Sequence, residues 1–164
     1  MAELTHPESK LGEVMGLSMA AQTATEKVRR LALEQEPGLI RELERMHNEA
    51  AETEKRCNQI VDALEGEKTA IQEAAAATRR KADEMLKTYL DADSDVLKGF
   101  EFLTMTEAAE VGHWRVLGQL ARRADDRPII DLCAWALPIQ ERHLSYVSRA
   151  CQQLAGAEDP VAIA

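Results

Sequence analysis

LIRELERMHNEAAETEKRCNQIVDAL, residues 39–64, is the stretch on which the fold turns. Apolar or small residues recur at Leu39, Leu43, Met46, Ala50, Thr53, Cys57, Ile60 and Leu64, in alternating steps of four and three. That rhythm keeps one stripe of an α-helix facing a neighbour while Arg, Glu and Lys face water. A sustained seven-residue repeat of this kind is the mark of a helix packed lengthwise in a bundle.

Working outward, Pro37-Gly38 breaks the chain ahead of this helix, and Gly66 is placed to cap its end. An earlier helix is expected to start near Thr5, where Thr5 and Glu8 have capping-box spacing and Pro7 suits a first turn. Its apolar face runs Leu11, Val14, Ser18, Ala21, Thr25, Val28 and Ala32. Beyond Gly66, residues 69–90 carry a second capping-box pair, Thr69 and Gln72, and a face of Ile71, Ala74 or Ala75, Thr78, Ala82, Met85 and Tyr89. The small residues Ala74–Ala77 would let a neighbour approach closely.

A further helix is expected over about residues 95–123, with Phe102, Thr106, Ala109 or Glu110, His113, Val116 or Leu117, and Leu120 inward. Asp125-Asp126-Arg127-Pro128 reads as a stop followed by a start. The last helix should reach about Ala155, with Ile130, Cys133, Leu137, Gln140, Leu144, Val147, Cys151 and Leu154 inward and His143 flanking. Pro138 should kink it. The expectation is an all-α single domain over residues 1–164, its core at about 7–155 and a loose tail at 156–164. The four main helices would span about 40 Å each at 1.5 Å per residue. Short joints make neighbours antiparallel, and residues 69–90 form a long helical crossover between the second and third of them.

Composition narrows the function classes. Apolar residues are 45% but aromatics only 4%, so aliphatic side chains must fill the core. A net charge of -9 argues against a nucleic-acid footprint, which needs clustered cations. No apolar run approaches the ~20 residues of a membrane span. Residues 1–10 lack the pattern of a signal peptide, and Cys57, Cys133 and Cys151 have no paired spacing, so a reducing cytoplasm is expected. Phosphate loops, GxSxG and HExxH are missing from the sequence.

Some side chains nonetheless have metal-ligand spacing. Residues three apart on a helix share a face, so a carboxylate and an imidazole can reach one ion. Glu44 and His47 have that spacing beside the stripe of 39–64 and are expected at the surface. Glu107, Glu110 and His113 form a double step, and Gln140 and His143 repeat it with Glu141 alongside. The candidate metal ligands are therefore Glu110, His113, Gln140 and His143, with Glu107 and Glu141 as further candidates. A satisfied structural pair competes with that reading for Glu110 and His113, because buried polar groups need partners whatever their role. The methionines read as core filler. Trp114 and Trp135 suit either a dimer interface or the core.

Two stretches resemble the YciF-like branch of the ferritin-like superfamily. One is His47-Asn48-Glu49-Ala50-Ala51-Glu52-Thr53, continuing through Cys57, Ile60 and Leu64 to Gly66-Glu67-Lys68. The other is Gly112-His113-Trp114-Arg115 with Leu117, Leu120, Ala121 and Arg122. The resemblance covers about residues 11–155 and implies a four-helix bundle with a crossover, a di-metal centre and a homodimer. Carried over residue by residue, the ligand set is depleted. The first helix offers Ala21 or Gln22, the second Ala50, and the third Gly112 and Arg115 around His113. The last helix offers Pro138, Ile139 and Gln140, leaving Glu141. A slip of one turn would bring in Glu26, Glu49 or Glu54 instead. The layer so drawn holds Gln22, Ala50, Thr53, Glu110, His113, Gln140 and His143, with a single carboxylate. Three readings follow: a ferritin-like structural or stress-related binding module without a complete di-iron centre, an oxidoreductase-type protein with one Fe, Mn or Zn ion on an altered ligand set, and a helical protein-interaction module.

Overall fold

The computed structural model describes residues 2–163. All regular structure among them is helical: α1 (His6–Gln35), a short 3-10 turn (Pro37–Leu39), α2 (Ile40–Asp62), α3 (Lys68–Tyr89), α4 (Val96–Ala124) and α5 (Arg127–Ala157). None of the helices is long and apolar enough to cross a membrane.

Three helix starts follow from single residues. Thr5 is extended, accepts from the Glu8 amide and receives the Glu8 carboxylate on its own N–H, completing the capping box. Asp95 and Asp126 cap α4 and α5 by accepting from the amides of Lys98 and Ile129. Between α4 and α5, Asp125 takes a left-handed conformation, φ 52°, and the Asp126 amide reaches back to the Ala121 carbonyl at 3.0 Å. Asp tolerates that backbone better than most residues, and the two-residue joint makes an antiparallel hairpin.

Two expected caps are not used. Glu67, not Thr69, precedes α3, and it is helical in conformation with no side-chain cap. The chain leaves α2 through tight turns, Ala63 N–H to Ile60 and Leu64 N–H to Val61, and then supplies the Leu64 carbonyl to Lys68. The Lys68 amide is thus served by backbone, and Thr69 already lies inside the helix, where it cannot act as the cap. Gly66 does not take a left-handed cap, and among the described residues no glycine has positive φ. Pro138 lies within α5, which continues across it from residue 127 to 157; the helix thereby runs two residues into the expected tail.

Two buried clusters fix the directions. One joins Leu11 and Met15 of α1, Cys57 and Val61 of α2, Ile71 and Ala75 of α3, Trp114 and Leu117 of α4, and Ile129 and Leu132 of α5. The other joins Val28, Leu43 and Met46, Leu86 and Leu90, Phe100 and Leu103, and Val147 and Leu154. Residue numbers rise from the first cluster to the second in α1, α3 and α5 and fall in α2 and α4. Hence α1/α2 and α4/α5 are antiparallel pairs, and α3 is the crossover that lets α2 and α4 run the same way. Helix α1 packs on α2, α3 and α4, α4 packs on α5, and the α2/α5 seam is the lightest of these contacts.

The α1/α3 contact depends on two glycines. A Cβ on Gly16 would lie 2.3 Å from the Ala75 carbonyl oxygen and 2.8 Å from Thr78 Cβ, and one on Gly12 would lie 2.9 Å from both Ala74 Cβ and the Ile71 oxygen. Backbone meets backbone here, and any larger residue must push α3 outward.

The inward faces differ in detail from the periodic reading. Ala24 is buried on α1 where Ala21 is only partly so, and Trp114 is wholly enclosed in the first cluster. Trp135 is half-buried, with the Arg56 guanidinium 4.0 Å above its ring.

Candidate functional site

Between the two apolar clusters each of α1, α2, α4 and α5 changes character. On α1 the break holds Ser18 and Thr25, whose hydroxyls turn back to the Met15 and Ala21 carbonyls. On α2 it holds Glu49, Ala50 and Thr53, on α4 Glu107 and Glu110, and on α5 Gln140, Arg142 and His143. A polar layer therefore crosses the middle of the bundle.

His143 is its centre. The ring is 3% exposed, not flanking as its place in the sequence stripe suggested. Nε2 lies 2.6 Å from Glu49 Oε2 and Nδ1 lies 3.5 Å from Glu107 Oε2. Glu49 Oε2 also accepts from Arg142 Nη2 at 2.5 Å, and Arg45 Nε donates to Oε1 at 3.2 Å. Glu49 thus clips α2 to α5 across the light seam. It borders an open groove of about 600 Å³ between those helices, with Trp135 and Ile139 on the opposite wall.

The charges compensate within the layer. Burial opposes ionisation of the Glu49 carboxyl, but hydrogen bonds from His143 and Arg142 outweigh it and hold the group below its ordinary value. Burial likewise disfavours a charged His143, but Glu107 and then Glu49 override that and raise the imidazole. Glu110 has no cation. Its 2% exposure and the charge of Glu107 push its carboxyl well above the ordinary range, so it is kept as the neutral acid. It faces a cavity of about 30 Å³ walled by Ala20, Ala21, Ala24, Ala82 and Phe102. Glu110 Oε2 and Gln140 Oε1 are buried without a hydrogen-bond partner, and Glu107 Oε2 has only its long 3.5 Å ion pair with His143.

The sequence-derived candidates divide between two places. Glu107, Glu110, Gln140 and His143 are buried in the layer. His113 is not drawn into it: its side chain is 37% exposed, 3.2 Å from Glu13 Oε2, with Lys10 beside both. Glu141 is exposed and pairs with Arg115 at 2.9 Å. Glu44 is exposed, while His47 is half-buried, its Nδ1 3.1 Å from the Gln22 carbonyl. Glu54 accepts from Gln22 and Glu26 pairs with Arg29, both outside the layer. The interior therefore holds two fully buried carboxyl groups and one partly buried, where the sequence reading counted one. The signal for Glu107 was its three-residue step to Glu110; Glu49 was marked only by the one-turn slip.

A two-ion centre in such a bundle takes a Glu from each of two helices and a Glu-x-x-His pair from each of the others. The layer meets half of that. Helix α4 brings Glu107 and Glu110, but α5 brings Gln140 with His143, α2 brings Ala50 with Thr53, and α1 brings Ser18. The third carboxylate, Glu49, is already committed to Arg142 and His143. Among the described residues no three His, Cys, Asp or Glu side chains converge as a metal ligand set. The donors present do not fit two bridged ions. Comparison with known protein families, curated proteins and solved structures finds no match to this chain.

Proposed function

We propose that this chain is a ferritin-like bundle whose mid-layer is neutralised from within, and that it serves as a structural or stress-related binding module, not as a di-iron oxidase. The topology supports the first part: two antiparallel hairpins, α1/α2 and α4/α5, joined by a single lengthwise crossover. One observation carries the second. The imidazole of His143 and the guanidinium of Arg142 stand against Glu49 and Glu107, so the cationic charge that metal ions would supply is supplied by side chains. The test is to purify the protein without chelator, measure Fe, Mn and Zn by elemental analysis, and offer each ion in excess. The expected result is no stoichiometric metal and no change in melting temperature.

A second reading, an oxidoreductase-type protein with one Fe, Mn or Zn ion, is favoured by the buried, unpartnered oxygens of Glu110 and Gln140 in the same layer as His143. On that reading one equivalent of metal loads, and Glu107→Ala with Glu110→Ala abolishes loading. On either reading the chain pairs with a second copy through its outer helix faces; sedimentation of the same sample should give a dimer, and a monomer would count against that pairing.

A further inference from the structure

A second constellation lies between α4 and α5 near Pro138, about one turn from the polar layer on the side of the first apolar cluster. A groove of about 270 Å³ opens there, with Trp114, Gly118, Ile130 and Leu137 among its walls and Arg115 and Arg122 beside them. Three features distinguish it from a packing irregularity.

The first is a buried donor. Trp114 is 0% exposed, and its indole N–H has no acceptor. Buried indole N–H groups are normally paired, and this one belongs to a residue at the floor of the groove. The second is charge. In a chain of net charge -9, no acidic residue lines the groove. Arg122 has the neutral Gln119 as its partner, at 2.9 Å, and its Nη1 lies 3.5 Å from where a Gly118 Cβ would stand. Arg115 is held at 2.9 Å by Glu141. The third is shape. Gly118 presents no side chain between Arg122 and Cys133, and Pro138 cannot donate to the Ala134 carbonyl in the groove wall.

We propose that this groove binds a small organic carboxylate, its acid group held by Arg122 and Arg115 and its apolar body laid over Gly118 against Leu137 and Ile130. A guanidinium offers a carboxylate two parallel donors, which neutral ligands cannot exploit. The volume is just below that of ordinary small-molecule sites and suits a ligand of about ten heavy atoms.

Benzoate is the probe, with benzyl alcohol as its uncharged counterpart. The readout is the indole N–H resonance of Trp114 in the Trp135→Phe variant, where it is the single indole signal. Benzoate should shift that resonance saturably with a midpoint below about 5 mM. Arg115→Gln combined with Arg122→Gln alters only exposed side chains and should weaken binding at least about tenfold. Gly118→Leu should fill the groove and abolish the shift. Three results would overturn the proposal: no saturable shift with benzoate, an equal response to benzyl alcohol, or an unchanged midpoint in the double arginine variant. None of them bears on the mid-bundle layer or its metal content.

Discussion

Replacing Glu110 with Gln tests the electrostatics of the buried layer at one atom. The side chain is 2% exposed, faces a small, largely apolar cavity and has no cation paired with it. Its carboxyl is raised by burial and by Glu107. The folded protein therefore holds a proton that the unfolded chain gives up near the ordinary value of 4.5. Where the native state binds more protons, stability falls as pH rises. Glu110 thus subtracts nothing below pH 4.5 and subtracts progressively more as pH climbs toward its folded value. Gln keeps the shape and cannot ionise. Near pH 5 the two proteins should differ by less than about 1 kcal/mol. Near pH 9 the variant should be the more stable by about 1–3 kcal/mol, the linkage cost that accumulates above the unfolded carboxyl's ordinary value and that Gln does not carry. For a domain of this length that is a melting-temperature gain of about 2–10 °C. The assay is thermal unfolding by circular dichroism across pH 5–9. Parallel curves for the two proteins, with no divergence toward alkaline pH, would refute the assignment of Glu110 as a buried neutral acid.

Two further outcomes follow from the geometry. His143→Ala removes the cation between Glu49 and Glu107 and should destabilise the fold by about 3–5 kcal/mol at pH 6 in urea titration. Because the folded imidazole is raised above 6.5, its stabilising share is complete below that pH and fades as pH rises through the folded value, so wild type and variant should converge on the alkaline side. Gly16→Ala places a methyl 2.3 Å from the Ala75 carbonyl oxygen, which is backbone and cannot swing aside. It should cost about 1–3 kcal/mol and expose α3 amides to hydrogen exchange, while Gly66→Ala, with nothing within 4 Å, should leave stability within about 0.5 kcal/mol.

The architecture was legible because the alternation of fours and threes at residues 39–64 admits one kind of packing, and because Thr5 and Asp126 are caps with local causes. The α1/α3 seam was less so. Ala74–Ala77 signalled a close approach, but its other half is Gly12-x-x-x-Gly16, and glycines make no apolar stripe. His143 was placed beside the α5 stripe because Leu144 next to it is the more apolar residue. In the folded chain His143 is buried and Leu144 is only partly so, since the middle of the bundle is polar and an imidazole has two carboxylates to meet there. His113 failed the other way. Its three-residue step from Glu110 is real, but Glu13 and Lys10 of α1 meet it nearer the surface. Spacing along one helix gives the face a residue shares; what waits on the neighbouring helix decides its role.

Metal stoichiometry bears most directly on the central claim, that Arg142 and His143 take the place of ions in this layer. Protein purified without chelator and then incubated with excess Fe(II), Mn(II) or Zn(II) should carry well under one equivalent of any of them after desalting. Two equivalents per chain, lost on Glu107→Ala and Glu110→Ala, would contradict it.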